Sequence, residues 1–190
     1  MFRHPRVRAR VARLGVVLAL TGIALIPVTR AHAYALLGIY PPTYFGFGYS
    51  EGSFASSADR SAIEYGASAW SNSPAPITFQ LSGTNYHVNT SSSNAGNTGW
   101  DGITGGWQYT GNTCSNGFSQ LQMATLVLNH TYTQSESTAQ IEHVATHELG
   151  HVIGLDHSTD SNAIMYNNGY NHTTPQTDDV NGVQDIYNHC

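Results

Sequence analysis

The stretch "HELGHVIGLDH", residues 147–157, holds three histidines and a glutamate within eleven positions. His147 and His151 are four residues apart, so on a helix they lie about 6 Å apart along the axis and about 40° apart around it. Glu148 projects about 100° away from His147, beside an ion held between the histidines but not bound to it. Three neutral imidazoles with one open position are the ligand set of a catalytic zinc ion. The spacing therefore predicts a zinc site made by His147, His151 and His157, with Glu148 as a general base.

The residues around this motif predict the helix that carries it. Ser137 followed by Gln140 is a capping-box pair, which marks the start of a helix. Gly154 is the residue type that ends a helix in a left-handed conformation, and it permits the chain to turn so that His157 approaches the other two histidines. The apolar stripe of this helix consists of Ile141, Val144, Ala145 and Val152.

Patterns of apolar residues elsewhere predict further strands and helices. The predicted strands are 44–49, 77–82, 84–90, 103–110 and 121–129, and the other predicted helices are 58–72 and 176–188. The strand at 103–110 is expected to be short and irregular, within a long loop rich in Gly, Ser, Asn and Thr. The order of elements predicts an α+β fold, in which the central helix packs on one face of a mixed β-sheet and a last helix ends the chain.

The N-terminus has the order of residues found in secretory signal peptides. Residues 1–13 contain five arginines and no acid, residues 14–28 are apolar, and an A-x-A pair ends at Ala33. We therefore predict a signal peptide over 1–33 and secretion of the remainder to the extracellular space. The alternative is that the segment stays as a membrane anchor, although the apolar run is shorter than the roughly 20 residues that a spanning helix needs.

The remaining residues, 34–190, are long enough for one domain, which we divide into subdomains 34–154 and 155–190. This segment has one arginine, no lysine and all twelve acidic residues, so its formal charge is −11 with neutral histidines. Such a charge repels nucleic acid and anionic membranes. We expect a monomer with no nucleic-acid partner and no stable membrane association.

Cys114 and Cys190 are the two cysteines of the chain. In an oxidising compartment they are expected to form a disulfide, which would contribute a few kcal/mol by closing a long loop. The alternative is that one of them is a free thiol that blocks the metal, but neither lies in a separate N-terminal segment.

Four stretches carry a family resemblance. They are "HELGHVIGLDHS" (147–158), "AIMY" (163–166), "TDDVNGVQDIY" (177–187) and "AIEYGASAWSNSPAPITF" (62–79). Together they resemble the metzincin clan of zinc peptidases, and within that clan the matrixins, the matrix metalloproteinase family. The resemblance covers nearly all of 34–190, and the histidine motif and the methionine turn (163–166) are its most specific parts. It implies a metzincin-like zincin fold: a twisted mixed β-sheet with a central active-site helix, and a small C-terminal subdomain that ends in a helix.

The resemblance implies roles for individual residues. His147, His151 and His157 match the zinc ligands, Glu148 matches the general base, and Met165 matches the methionine that forms a hydrophobic floor under the site. Tyr166 and Tyr170 are expected to shape the substrate pocket beside the metal. In astacins and serralysins a tyrosine two places after the methionine can bind zinc, but that position here is Asn167, so no tyrosine ligand is expected.

The implied activity is zinc-dependent cleavage of proteins or peptides. The substrate would extend along the edge strand near 103–110, and its P1′ side chain would enter a pocket between the helix near His147 and the loop 163–170. One catalytic Zn²⁺ is expected. Binding of Ca²⁺ is possible at Asp101-Gly102, which is a weak match to a calcium-binding loop of the family. A structural zinc is not expected, because His87-Val88-Asn89 lacks the aspartate of the family's H-x-D pattern.

Three further expectations follow from the same residues. No room remains for a pro-segment with a zinc-capping cysteine, so control by secretion or by a separate protein inhibitor is expected. His143 is expected to be a partly exposed neighbour of the ligands, and His130, His172 and His189 to lie on the surface. Two other functions stay open: a secreted zinc-binding or adhesion module without proteolysis, and a zinc amidase acting on cell-wall peptides.

Overall fold

A six-stranded β-sheet forms the framework of the protein in the computed structural model, which describes residues 32–42, 47–84 and 86–190. In chain order, the described strands are β1 (Ala35–Leu36), β2 (Ile39–Tyr40), β3 (Phe47–Glu51), β4 (Phe79–Leu81), β5 (Val88–Ser93), β6 (Gly102–Thr113), β7 (Ser119–Asn129) and β8 (Leu155–Asp156). In the sheet, β7 pairs in parallel with β2 and β5, β5 pairs with β3, and β3 pairs with β4. β6 runs antiparallel to β7, and β1 and β8 form a separate antiparallel pair.

The described helices are α1 (Ser57–Ser71), α2 (His130–Thr133), α3 (Thr138–Val152) and α4 (Thr177–His189). The predicted α+β fold, with a mixed sheet, a central helix and a C-terminal helix, is confirmed. None of the helices in the described ranges combines the length and the apolar character that a membrane-spanning segment needs.

α3 is the helix around which the core is organised. Its start has the predicted capping box, because the Ser137 side chain accepts from the Gln140 N–H and the Gln140 side chain accepts from the Ser137 N–H. α1 packs against α3 at Gly66, where an added Cβ would lie 3.0 Å from the backbone nitrogen of Thr146. The fully buried Trp70 of α1 donates its indole N–H to the Thr146 carbonyl over 2.8 Å. These contacts hold α3 in a fixed position for the residues that project from its other face.

Two strands differ from their predicted positions. The strand expected at 84–90 lies at Val88–Ser93, and the short strand expected at 103–110 spans Gly102–Thr113. The predicted position of β5 was wrong because two of its three inward side chains are polar: Thr90 and Ser92 are buried beside Val88, and the Ser92 hydroxyl donates to Asp59 over 2.8 Å. β6 is longer than predicted because it pairs with β7 along its length. Such pairing cannot be predicted from the periodicity of apolar residues in one segment.

Other boundaries differ less. β3 covers the end of the strand predicted at 44–49, of which residues 44–46 lie outside the described part of the chain. Residues 155–156, which belong to none of the predicted strands or helices, form β8 against β1. The predicted signal peptide also lies outside the described residues, except for His32 and Ala33.

The predicted disulfide between Cys114 and Cys190 is present. It joins the turn between β6 and β7 to the residue that follows α4, and the Ser115 hydroxyl donates to the His189 carbonyl beside it over 3.0 Å. The long β6–β7 hairpin is therefore tied to the C-terminal helix.

Candidate active site

The three predicted zinc ligands lie together at the end of α3. The ring centroids are 4.8 Å apart for His147 and His151, 5.2 Å for His147 and His157, and 4.9 Å for His151 and His157. One nitrogen from each ring lies within 4.8 Å of the others. His147 is buried, His151 is half-buried and His157 is exposed, so the cluster opens to solvent on one side.

Backbone carbonyl groups select the tautomers of the two helical histidines. Nδ1 of His147 lies 2.8 Å from the Ile164 carbonyl oxygen, and Nδ1 of His151 lies 2.8 Å from the Leu155 carbonyl oxygen. Since a carbonyl only accepts, each Nδ1 carries the hydrogen and each Nε2 keeps its lone pair for a ligand. Burial lowers the pKa of His147 to about 3 and also lowers the pKa of His151. Two neutral, oriented imidazoles with a third beside them fit a zinc ion.

A glycine brings the third histidine back to the helix. Gly154 has φ +105°, a left-handed conformation that other residues rarely adopt. A side chain there would also collide with the Ile39 carbonyl oxygen, which would lie 2.5 Å from the added Cβ. The N–H of His157 then donates to the Asp156 carboxylate over 2.7 Å, which fixes the backbone where the chain returns.

Met165 packs against α3 at Gly150, at 1% exposure, in a turn that is held by a buried carboxylate. Gly150 leaves room for its thioether, since an added Cβ would collide with Met165 Sδ. Asp179, near the start of α4, accepts from the backbone N–H of Ile164 over 2.8 Å and from that of Met165 over 3.0 Å. It also accepts from the N–H of Gln176 over 2.7 Å. The first turn of α4 therefore anchors the methionine turn.

Glu148 faces the same cleft, at 7% exposure. The Thr104 hydroxyl on β6 donates to Oε2 of its carboxylate over 2.7 Å. Burial raises the pKa of Glu148 to about 7, although the hydrogen bond from Thr104 opposes that rise. A carboxyl group with a pKa near neutrality is suited to taking up and returning a proton.

The cleft is a cavity of about 510 Å³ between the start of β6 and the loop after Met165. The three histidines, Glu148, Tyr166 and Tyr170 all line it. Tyr170 crosses one end: its hydroxyl donates to Asp101 over 2.6 Å and lies 3.2 Å from Glu136 Oε1. Burial and the hydrogen bond to Asp101 raise the pKa of Tyr170 above its usual range. Both tyrosines line the same cavity as the histidine cluster, and their role in shaping a substrate pocket stays a prediction.

Two histidine predictions were wrong. His143 is buried at 5% exposure, because its ring packs against Tyr170 and its Nδ1 lies 2.6 Å from the His172 carbonyl oxygen. His130 is half-buried, and its Nδ1 lies 2.8 Å from the buried carboxylate of Asp59. In each case a partner distant in sequence covers the ring.

Thr104 and Asp179 contact the site but were not selected as site residues from the sequence. Thr104 lies in a Gly-rich stretch without apolar periodicity, so no local signal marks it. Asp179 lies in the first turn of a helix. Acidic residues are common there because they stabilise the helix, so its position did not mark it as a site residue.

The comparisons with known proteins agree with the motif. The matrixin family model (Peptidase M10) matches residues 49–188. Over 64 residues the chain is 41% identical to matrix metalloproteinase-18 of Xenopus laevis, covering 31% of this chain and 14% of that protein. It is 46% identical to matrilysin of Homo sapiens over 50 residues (24% of this chain, 18% of that protein) and 42% identical to neutrophil collagenase of Homo sapiens over 62 residues (30% and 13%).

The matched region spans less than a fifth of the length of each of these relatives. Among solved structures, that of myroilysin aligns with a TM-score of 0.48 at 12% identity, covering 76% of this chain and 80% of that one. Because the family model matches about three quarters of the sequence, including the whole histidine motif and the methionine turn, the chain belongs to the matrixin family.

Proposed function

We propose that this protein is a secreted zinc-dependent endopeptidase, with His147, His151 and His157 as zinc ligands and Glu148 as the general base. The observation that carries the proposal is the position of Glu148, a buried carboxylate in the same cleft as three converging imidazoles. Burying a carboxylate costs free energy, and the hydrogen bond from Thr104 does not remove that cost, since the pKa of Glu148 stays raised to about 7. A site that only bound zinc would have no need of such a group.

The chain's own residues account for the proton transfers of peptide hydrolysis. A bound zinc ion would supply a Lewis acid that polarises the scissile carbonyl and lowers the pKa of water. Glu148 receives the proton of the attacking water and then delivers it to the nitrogen of the leaving amine. His147 and His151 are kept neutral by burial and correctly oriented by the carbonyl groups of Ile164 and Leu155.

The edge of the sheet offers a place for an extended peptide. Within the described part of the chain, β6 pairs with β7 alone, and its first residues line the cleft. A peptide that adds to the edge of β6 would run past Glu148 with its backbone hydrogen-bonded. Its P1′ side chain would then enter the pocket bounded by Val144, His143, Tyr166 and Tyr170.

We further propose that residues 1–33 direct secretion and that Gly154 divides residues 34–190 into the two subdomains. The disulfide between Cys114 and Cys190 supports an oxidising destination, where such bonds persist. The left-handed conformation of Gly154 supports a division at that point, because α3 ends there and the chain reverses.

The deciding experiment compares the wild-type protein with Glu148→Gln, which keeps the shape of the side chain and removes its basicity. We expect both to bind one zinc ion, measured by atomic absorption. The wild type should cleave casein or fluorogenic peptides in a chelator-sensitive manner, and Glu148→Gln should lose at least about 10³-fold in kcat, in the range of a catalytic-group deletion.

Two results would count against the proposal. Substantial turnover by Glu148→Gln would remove the glutamate from its role. A zinc-loaded wild type that cleaves no member of a peptide library would instead favour a zinc-binding module or an amidase with another substrate, and cell-wall peptides would be the next substrates to assay.

A further inference from the structure

The edge strand β6 approaches the stem of Glu148 unusually closely. At Gly102 an added Cβ would lie 2.7 Å from Cγ of Glu148 and 2.7 Å from Cγ1 of Val144. Real side chains do not pack at that distance, so the approach depends on glycine at this position. Because residues i and i+2 of a strand face the same side, the close approach at Gly102 directs the side chain of Thr104 toward α3 as well.

The Thr104 hydroxyl holds one oxygen of the glutamate and leaves the other available. It donates to Oε2 over 2.7 Å and lies 3.0 Å from the backbone carbonyl oxygen of the same residue. Of the two carboxylate oxygens, only Oε2 has a hydrogen bond from the described part of the chain. Oε1 is therefore the oxygen that can exchange a proton with a reactant in the cleft.

Shortly after Thr104, the edge strand β6 has a β-bulge in its pairing with β7. Gly105 pairs with Thr125 and Gln108 pairs with Met123, so Gly106 and Trp107 together face one residue of β7. Gly106 has φ +62°, and the Thr125 hydroxyl donates to the Gly105 carbonyl over 3.2 Å. Bulges of this kind re-aim a strand and the side chains beside it. Gly102 and Thr104, which contact α3, both precede this bulge.

We infer that Thr104 is a positioning residue for catalysis: its hydroxyl holds the Glu148 carboxylate in the orientation that places Oε1 at the reacting atoms. The inference rests on the proposed function of Glu148 and adds a residue that the histidine motif does not contain. It also means that the strand on which the substrate lies sets the orientation of the general base, because both depend on the first residues of β6.

Thr104→Val removes the hydroxyl and keeps the shape, so it tests the hydrogen bond alone. We expect kcat to fall by about 10- to 100-fold, as is typical when a residue that orients an active-site group is lost. KM and zinc content should stay close to the wild-type values, since neither the ligands nor the backbone edge of β6 is altered. Thr104→Ser should restore most of kcat, because serine keeps the donor.

Two controls separate positioning from packing. Thr113→Val makes the same substitution on the same strand, at an exposed threonine outside the stretch 103–110 that is proposed to bind substrate, and should leave kcat unchanged. A crystal structure of zinc-loaded Thr104→Val gives a readout independent of turnover: the Glu148 carboxylate should rotate from its wild-type position.

Three outcomes would overturn the inference. They are a Thr104→Val kcat within about twofold of wild type, equal loss in Thr104→Val and Thr104→Ser, and an unmoved carboxylate in the variant crystal structure. A wild type without chelator-sensitive peptidase activity would contradict the proposed function instead, and the crystal structure would still decide whether Thr104 holds Glu148.

Discussion

Gly102 shows how one residue without a side chain can matter to the whole cleft. Gly102→Ala would insert a methyl group where Val144 and Glu148 already lie, so β6 must move away from α3. We expect a loss of about 1–3 kcal/mol in the free energy of unfolding, as for other overpacked positions. Peptidase activity should fall by about 10- to 100-fold, because a displacement of about 1 Å at catalytic groups has effects of that size. Urea unfolding and steady-state kinetics measure the two effects.

Gly105 provides the matched control on the same strand. An added Cβ there would meet no atom of the protein within 4 Å, so Gly105→Ala should leave the free energy of unfolding nearly unchanged and leave Glu148 in place. Equal effects of the two substitutions would mean that glycine matters in β6 for its backbone freedom and not for the contact with Glu148.

At the scale of single residues, the sequence was informative where chemistry depends on spacing along one helix. The interval between His147 and His151 predicts that they share a helix face, and the structure brings both rings to within 4.8 Å between centroids. Thr104 had no such signal, because it reaches Glu148 across 44 positions of sequence. A threonine in a polar, Gly-rich stretch is indistinguishable from its neighbours until the strand that contains it is placed.

At the scale of elements, the start of α4 determines where the methionine turn lies. Asp179→Asn keeps the size of the side chain but replaces one carboxylate oxygen with an NH2 group, which cannot accept from a backbone N–H. We expect a loss of about 2–3 kcal/mol, since a buried donor is left unsatisfied and a charged hydrogen bond is lost. For a protein of this size that corresponds to a decrease in Tm of roughly 5–10 °C, measurable by calorimetry.

Asp185→Asn, on the same helix but with a side chain at 35% exposure, should lower Tm by much less. If both variants melted at the wild-type temperature, the hydrogen bonds from Ile164 and Met165 would not stabilise the turn, and another contact would have to hold Met165 in place.

Elements with local signals were predicted well, and elements that depend on pairing were not. The cap at Ser137 and the stop at Gly154 act within a few residues, so the bounds of α3 could be read from the sequence. β5 buries threonine and serine through hydrogen bonds to other elements, including the one from Ser92 to Asp59. A polar strand of this kind resembles a loop when only its composition is known.

At the scale of the whole molecule, the buried histidines make stability depend on pH. Burial lowers the pKa of four of them below the usual value near 6.5: His87, His143, His147 and His151. Below about pH 6.5 the unfolded chain therefore binds protons that the folded chain does not. The zinc-free protein should lose stability as pH falls from 7.5 to 5.5, by up to about 1.4 kcal/mol per pH unit for a fully buried histidine and by less for the more exposed His87.

Glu148 acts in the opposite direction in the same window. Its pKa is raised to about 7, so the folded zinc-free protein takes up this proton before the unfolded chain does, and acidification is stabilising at this group. Glu148→Gln should therefore make the decrease in stability steeper. Urea unfolding of both proteins at a series of pH values tests this, and stability that is constant or rises on acidification would contradict it.

The sequence by itself determined the α+β class, the bounds of α3, the identity of the only cysteine pair and the set of residues that match the zinc motif. Each of these depends on residue type or on spacing over a few positions, where the geometry of a helix leaves little freedom. Only the tertiary structure decided that Thr104 bonds to Glu148, that Asp179 anchors Met165 and that Tyr170 crosses the cleft to Asp101. These contacts join elements far apart in the chain, and their distances are set by how β6, α3 and α4 pack and not by any local preference.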